Sequence, residues 1–150
     1  MDKTPSIEVR LVSGPVRAAR GEDVPGVGAV VRFEGVVRPV EDGRPIEALE
    51  YEAYEPMTGR ELTALAHRIA DRHRLLAMRV VHSTGRVPAG AASFLLVVAA
   101  EHRGPAIRAI EEFIDRLKRD IPLWKVPVWA EGESPGADHV AHQPDHAGFA

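Results

Sequence analysis

The stretch Ala92-Ser93-Phe94-Leu95-Leu96-Val97-Val98-Ala99-Ala100-Glu101, running into His102-Arg103-Gly104-Pro105, decides how this chain is organised. Its apolar run from Phe94 to Ala100, with Ala91 and Ala92 just before it, is far shorter than the ~20 residues a bilayer-crossing helix needs. It reads as a buried strand. Gly104-Pro105 then suits a helix start with proline in the first turn, and Ile107, Ile110, Phe113, Ile114 and Leu117 recur as a helical apolar stripe. The helix should stop near Arg119, because Pro122 disfavours the helical conformation of Ile121 before it. Leu123 to Trp129 follows as a short final strand, with Pro127 pointing to an edge or irregular position.

Upstream, Ala77 to Ser83 is a second β-branched and apolar run, and Gly85-Arg86-Val87-Pro88-Ala89-Gly90 reads as the turn joining it to the first. Thr58 followed by Glu61 has capping-box spacing, and Leu62, Leu65, Ala66, Ile69 and Ala70 then share one face of a helix expected to reach about Arg74. Earlier still, Ile7 to Val12 and Val27 to Val37 read as strands, with a short helical or irregular piece after Gly14-Pro15. Asp42-Gly43, within Pro39 to Pro45, marks a hairpin turn. Ile46 to Tyr54 returns from it, with Ile46, Ala48 and Glu50 alternating against Glu47, Leu49, Tyr51 and Ala53. The order ββαββαβ, with two principal helices returning over a mainly antiparallel sheet, predicts an α+β domain over residues 1–131. Residues 132–150, rich in Gly, Pro, Asp and His, read as a flexible tail.

At 150 residues, 45% hydrophobic and 27% charged, the chain can bury a full core without covalent staples. A net charge of -3 gives no general pull towards nucleic acid or an anionic membrane, so any anion site must be a local cluster of cations. No apolar leader follows Met1, and a cytoplasmic protein is expected. There is no cysteine, which excludes disulfides, thiolate catalysis and cysteine-held metals; any sulfur chemistry must use sulfur brought by another molecule.

Chemistry gathers around two lysines. Against 16 arginines the chain keeps three lysines, Lys3, Lys118 and Lys125, and the last two are seven residues apart. An amine can be tuned to shed its proton near neutral pH, whereas a guanidinium cannot, so retained amines suit a nucleophile or general acid. The plainer alternatives are a helix-end cation for Lys118 and a solvated edge-strand residue for Lys125. Glu101-His102-Arg103 stands where the buried strand meets the next helix, whose first N–H groups with Arg103 and His102 would bind an anion. Arg38 ends the first long strand, as a site residue or an ordinary surface arginine. His139, His142 and His146 have spacing open to a metal, but with no second shell in view no metal site is assigned. His67 and His73 read as surface residues.

Gly28-Ala29-Val30-Val31-Arg32-Phe33-Glu34-Gly35-Val36-Val37-Arg38 resembles the strand G-A-x-x-x-F-x-G-x-V-R of the molybdopterin synthase catalytic (large) subunit family. Leu49 to Tyr54 with Met57, Val81-His82 with Gly85, and Glu101-His102-Arg103 are similar to further family elements. Asp115-Arg116-Leu117-Lys118 through Ile121-Pro122-Leu123-Trp124-Lys125 resembles its most specific signature, D-x-L-K…x-P-x-W-K.

This resemblance implies an enzyme of molybdenum cofactor biosynthesis, a sulfurtransferase with no cofactor of its own. It implies a homodimer within a heterotetramer, with a small ubiquitin-like carrier at each end whose Gly-Gly terminus is a thiocarboxylate. The substrate would be cyclic pyranopterin monophosphate, converted to the dithiolene of molybdopterin. Carried over, Lys118 and Lys125 are the catalytic residues. Arg38, His102 and Arg103 bind substrate, as do Val126 and Pro127 at positions where the family commonly has a basic residue and glutamate. Lys118 takes acid/base or transient covalent work and Lys125 positions substrate and offsets charge. Ser83 stands where an arginine is usual and Ala91 where an acid is usual. These departures, with Val126-Pro127, leave an alternative: a non-catalytic paralogue that dimerises and binds the carrier.

Overall fold

Ten elements follow one another: β1 (Ser6–Ser13), β2 (Ala29–Val36), β3 (Val40–Glu41), β4 (Arg44–Ala53), α1 (Met57–His73), β5 (Ala77–Pro88), β6 (Ala92–Ala100), α2 (Arg103–Asp120), β7 (Leu123–Trp129) and β8 (Asp145–His146). They come from a computed structural model that describes residues 4–17, 24–130 and, as backbone, 145–146. The α+β class, the mainly antiparallel sheet and the two long helices agree with the sequence reading. The order has three more strands than ββαββαβ, because the two hairpin strands join β1 and β2 before α1 and β8 follows β7. Of the segment read as a tail, Asp145 and His146 pair with Lys125 and Trp124; its other residues lie outside those described.

The sheet path is β2-β6-β5-β4-β7-β8, with β1 parallel to β5 and β3 paired to β4. Its pivot is β5. That strand pairs with β6 as far as His82↔Phe94, then with β4 from Gly85↔Tyr51 to Pro88↔Ala48. Gly85, at φ 74, makes the change of partner. The turn expected over Gly85–Gly90 is therefore mostly strand, and only residues 89–91 separate β5 from β6.

Alternation along β6 divides the two faces. Phe94, Leu96 and Val98 join Met78, Val80, Leu62, Leu65, Ile69, Phe113 and Leu117 under the helices. Leu95 and Val97 join Val16 and Val81 in a smaller cluster on the other face. Phe113 stacks on Phe94 with centroids 6.2 Å apart, which ties α2 to the sheet. The stripe of α2 differs from its predicted form. Ile107 is 54% exposed, while Ala106 and Ala109 are fully buried, because small side chains let the helix approach the strands closely.

Two further expectations change for local reasons. Thr58 is not an N-cap: Pro56 precedes α1, and the Thr58 hydroxyl is fully buried, accepting from Tyr54 N–H at 2.8 Å and donating to the Pro122 carbonyl at 2.6 Å. It ties the start of α1 to the loop after α2. In β4, a register shift between Ile46 and Ala48 breaks the simple alternation, so Ile46, Leu49 and Tyr51 all reach the main core. The extended conformation of Ile121 (φ -89, ψ 130) ends α2 as Pro122 requires.

Candidate functional site

The hairpin Val40–Glu41, Asp42, Gly43, Arg44–Pro45 builds the first part of the site. Asp42 and Gly43 both have positive φ (50 and 75), as the tight two-residue turn demands, and this register sets Glu41 opposite Arg44. Both side chains then reach β7. Glu41 Oε1 lies 3.0 Å from Lys125 Nζ, and the Arg44 guanidinium sits over the Trp129 ring at 5.1 Å. Lys125 is 8% exposed and Glu41 13%, so this is a largely desolvated ion pair. Lys125 is thus no solvated edge residue: it lies between Tyr51 of β4 and the backbone of Asp145.

Behind the pair the polar groups continue inward. Tyr51 donates its hydroxyl to Ser93 Oγ at 3.0 Å, and Ser93 reaches the Gly35 carbonyl at 3.5 Å. Burial raises the Tyr51 pKa, the bond to Ser93 opposes this, and the Glu41 carboxylate adds to the rise. His82 meets the Tyr51 ring edge-on at 5.1 Å. Complete burial lowers its pKa to about 4, although Nδ1 donates to the Ser83 carbonyl at 2.8 Å. The imidazole is therefore neutral, with its proton assigned to Nδ1. Ser83 itself is buried and donates its hydroxyl to the Gly14 carbonyl at 2.6 Å.

Arg38 and Lys118 belong to the same end of the molecule. Val37, just before Arg38, exchanges backbone hydrogen bonds with Ala91 and Gly90, and the Pro39 carbonyl accepts from Ile46 N–H. Arg38 is exposed there. Phe113, stacked on Phe94, stands at the level of Gly35, which pairs with Phe94. Lys118 is five residues further along α2, about 7.5 Å, at the end where β2 runs into Arg38. It is half-buried.

His102 and Arg103 are elsewhere. They open α2 at the start of β2, in a shallow cavity of about 520 Å³ lined by Gly28, Glu101, His102, Arg103, Gly104 and Pro105. His102 is the extended residue before the helix, and no side chain caps its first N–H groups. Gly28 is required here, because a Cβ would overlap the Glu101 carbonyl oxygen. From His102 to Lys118 is sixteen residues of one helix, about 24 Å. Within one chain the predicted residues therefore fall into two groups: Arg38, Lys118 and Lys125 at one end, His102 and Arg103 at the other. Of the remaining two, Pro127 shares the Lys125 face of β7 by the two-residue period, and lies opposite Leu49. Val126 points to the other face and is 43% exposed.

Sequence reasoning missed Glu41, Tyr51 and Ser93 as parts of the site. The Asp42-Gly43 turn was legible; the Glu41–Arg44 pairing it sets, and the strand the hairpin covers, come from the fold. Among the described residues no group of His, Cys, Asp or Glu is placed to hold a metal. His139 and His142 lie outside those residues. Nor is any helix among them long and apolar enough to cross a membrane.

Comparison with known proteins gives this arrangement its context. A molybdopterin synthase from Staphylococcus aureus superposes with a TM-score of 0.71 at 32% identity, covering 81% of this chain and 91% of that one. A complex of subunits 1 and 2 of molybdopterin-converting factor from Helicobacter pylori gives 0.64 at 25% identity, covering 84% and 92%. The molybdopterin synthase catalytic subunit of Oryza sativa subsp. indica is 40% identical over 106 residues, 71% of this chain. The chain spans 55% of that relative's length. By architecture, then, this is a two-helix α+β protein of the kind found in molybdopterin synthases. The profile of the MoaE protein family matches residues 11–120, and the chain belongs to that family.

Proposed function

We propose that this chain is the catalytic subunit of a molybdopterin synthase, working in the cytoplasm. It takes sulfur from the C-terminal thiocarboxylate of a small ubiquitin-like carrier and passes it to cyclic pyranopterin monophosphate. The observation that carries this reading is the gathering of Arg38, Lys118 and the buried, ion-paired Lys125 at one end of the fold. Such a cation set suits an anionic, phosphorylated substrate meeting an acyl donor. The Helicobacter pylori complex of two subunits supports a small partner chain.

In each of two rounds the thiocarboxylate sulfur forms a bond to a pterin side-chain carbon and displaces the oxygen which that carbon carries, the C–O bond breaking as the oxygen leaves in water or stays with the opened phosphate ester. The acyl–sulfur bond then breaks as water, or transiently the Lys118 amine, takes the acyl group, and the carrier leaves as a carboxylate. Lys118 supplies and receives the proton. Arg38 and Lys125 offset the negative charge that develops on the acyl oxygen.

The separation of about 24 Å along α2 bears on assembly. His102 and Arg103 do not reach the lysines of their own chain, but a two-fold axis crossing the strands would bring them to the lysines of a second copy. This supports the homodimer, with phosphate held by one chain and sulfur transfer run by the other. The test is to mix purified protein, thiocarboxylated carrier and cyclic pyranopterin monophosphate and to measure molybdopterin. Product is expected. A stable complex with the carrier but no product would instead identify a non-catalytic paralogue.

A further inference from the structure

We infer that Glu41 is a positioning residue that holds Lys125 as a fixed ammonium donor, leaving Lys118 as the amine that changes protonation during the reaction. This rests on the proposed function. The geometry is direct: Glu41 Oε1 is 3.0 Å from Lys125 Nζ, with side-chain exposures of 13% and 8%. A carboxylate held this close in a largely dry setting attracts the ammonium with far less screening than a surface ion pair has.

The hairpin is built to deliver that carboxylate. The Asp42–Gly43 turn sets Glu41 opposite Arg44, and Arg44 on Trp129 anchors the hairpin two side-chain repeats along the same face of β7. Lysine's four-carbon stem would otherwise sample many rotamers, so a fixed partner removes much of the entropy cost of aiming the ammonium at substrate. Glu41 also faces Tyr51, whose hydroxyl is committed to Ser93. The pair is therefore flanked by groups already satisfied. No corresponding carboxylate is available from the next two residues of β7, since these are Val126 and Pro127.

The chain's three lysines make this directly measurable by limiting amine acylation of the full-length protein followed by peptide mass spectrometry. To react, the Lys125 amine must leave its partner, so in Glu41→Gln it should label about tenfold faster than in the unaltered protein. Lys118 should stay within about twofold, as an internal reference, and Glu41→Asp should lie between the two. In the sulfur-transfer assay Glu41→Gln should lower kcat/KM about tenfold, with most of the loss recovered in Glu41→Asp. Equal Lys125 labelling in the unaltered and Glu41→Gln proteins would overturn the assignment, as would an unchanged kcat/KM. Labelling needs no turnover, so absence of product from the unaltered protein would count against the proposed reaction and be told apart from failure of the Glu41 pairing.

Discussion

At the C-terminal end of α2 the fold holds one cation, Lys125, in place, whereas at the N-terminal end it leaves His102 and Arg103 in the open. Lys125 is 8% exposed and paired with Glu41 against a buried floor of Tyr51, Ser93 and His82. His102 and Arg103 are exposed, beside backbone N–H groups that no side chain caps. The first arrangement suits groups that must be aimed before a bond is made, because a largely desolvated pair costs little reorganisation during reaction. The second suits capture of a charged ligand from water, where reach matters more than rigidity.

The largest effect should come from the lysine end. Lys118→Ala is expected to lower molybdopterin formation by about 10³-fold, the scale of losing a proton-transfer group, with carrier binding unchanged by calorimetry. Turnover at the normal rate would remove Lys118 from the chemistry and dissolve the contrast.

Acid should weaken the same end through His82. Its ring is neutral when folded, with a pKa near 4, while the unfolded chain keeps the ordinary value of 6.5. Below pH 6.5 the unfolded chain therefore binds a proton that the folded chain refuses, and stability falls until about pH 4. The His82 share of that loss is roughly 3 kcal/mol. Urea melts at pH 7 and 4.5 should show a smaller difference for His82→Gln than for the unaltered protein; equal differences would mean that His82 does not sense the acid.

At the open end, Arg103→Ala should raise KM for the pterin about tenfold or somewhat more and leave kcat nearly unchanged, as expected for a lost charge-assisted contact to phosphate. Mixing Arg103→Ala and Lys118→Ala chains sharpens the comparison. Random exchange in a shared-site dimer restores about a quarter of the sites, whereas no recovery would mean that each chain serves its own substrate. The smallest effect is expected for Tyr51→Phe, about 1 kcal/mol of stability from the lost bond to Ser93, read as a lower midpoint in urea at pH 7.

Much of this architecture was legible because it follows from local periodicity. The apolar run at Phe94–Ala100, the Pro105 helix start, the Pro122 stop and the Asp42-Gly43 turn each act through a few neighbouring residues, and each is found where expected. Thr58 was misread because capping-box spacing cannot say that a hydroxyl will instead be claimed by the Pro122 carbonyl, 64 residues away. Gly85 was misread because a glycine with positive φ serves a turn and a bent strand equally well, and only the presence of β4 decides between them.

The sequence by itself determined the element types, the absence of thiol chemistry and the motif residues Arg38, His102, Arg103, Lys118 and Lys125. These depend on backbone preferences and residue chemistry, which act over a few positions. Only the tertiary structure decided that Arg38 and Lys125 fall at the Lys118 end of α2 and away from His102 and Arg103, and that Glu41 stands against Lys125. Distance between groups far apart in the chain is set by how strands pair and how a helix lies across them, and no local pattern encodes it.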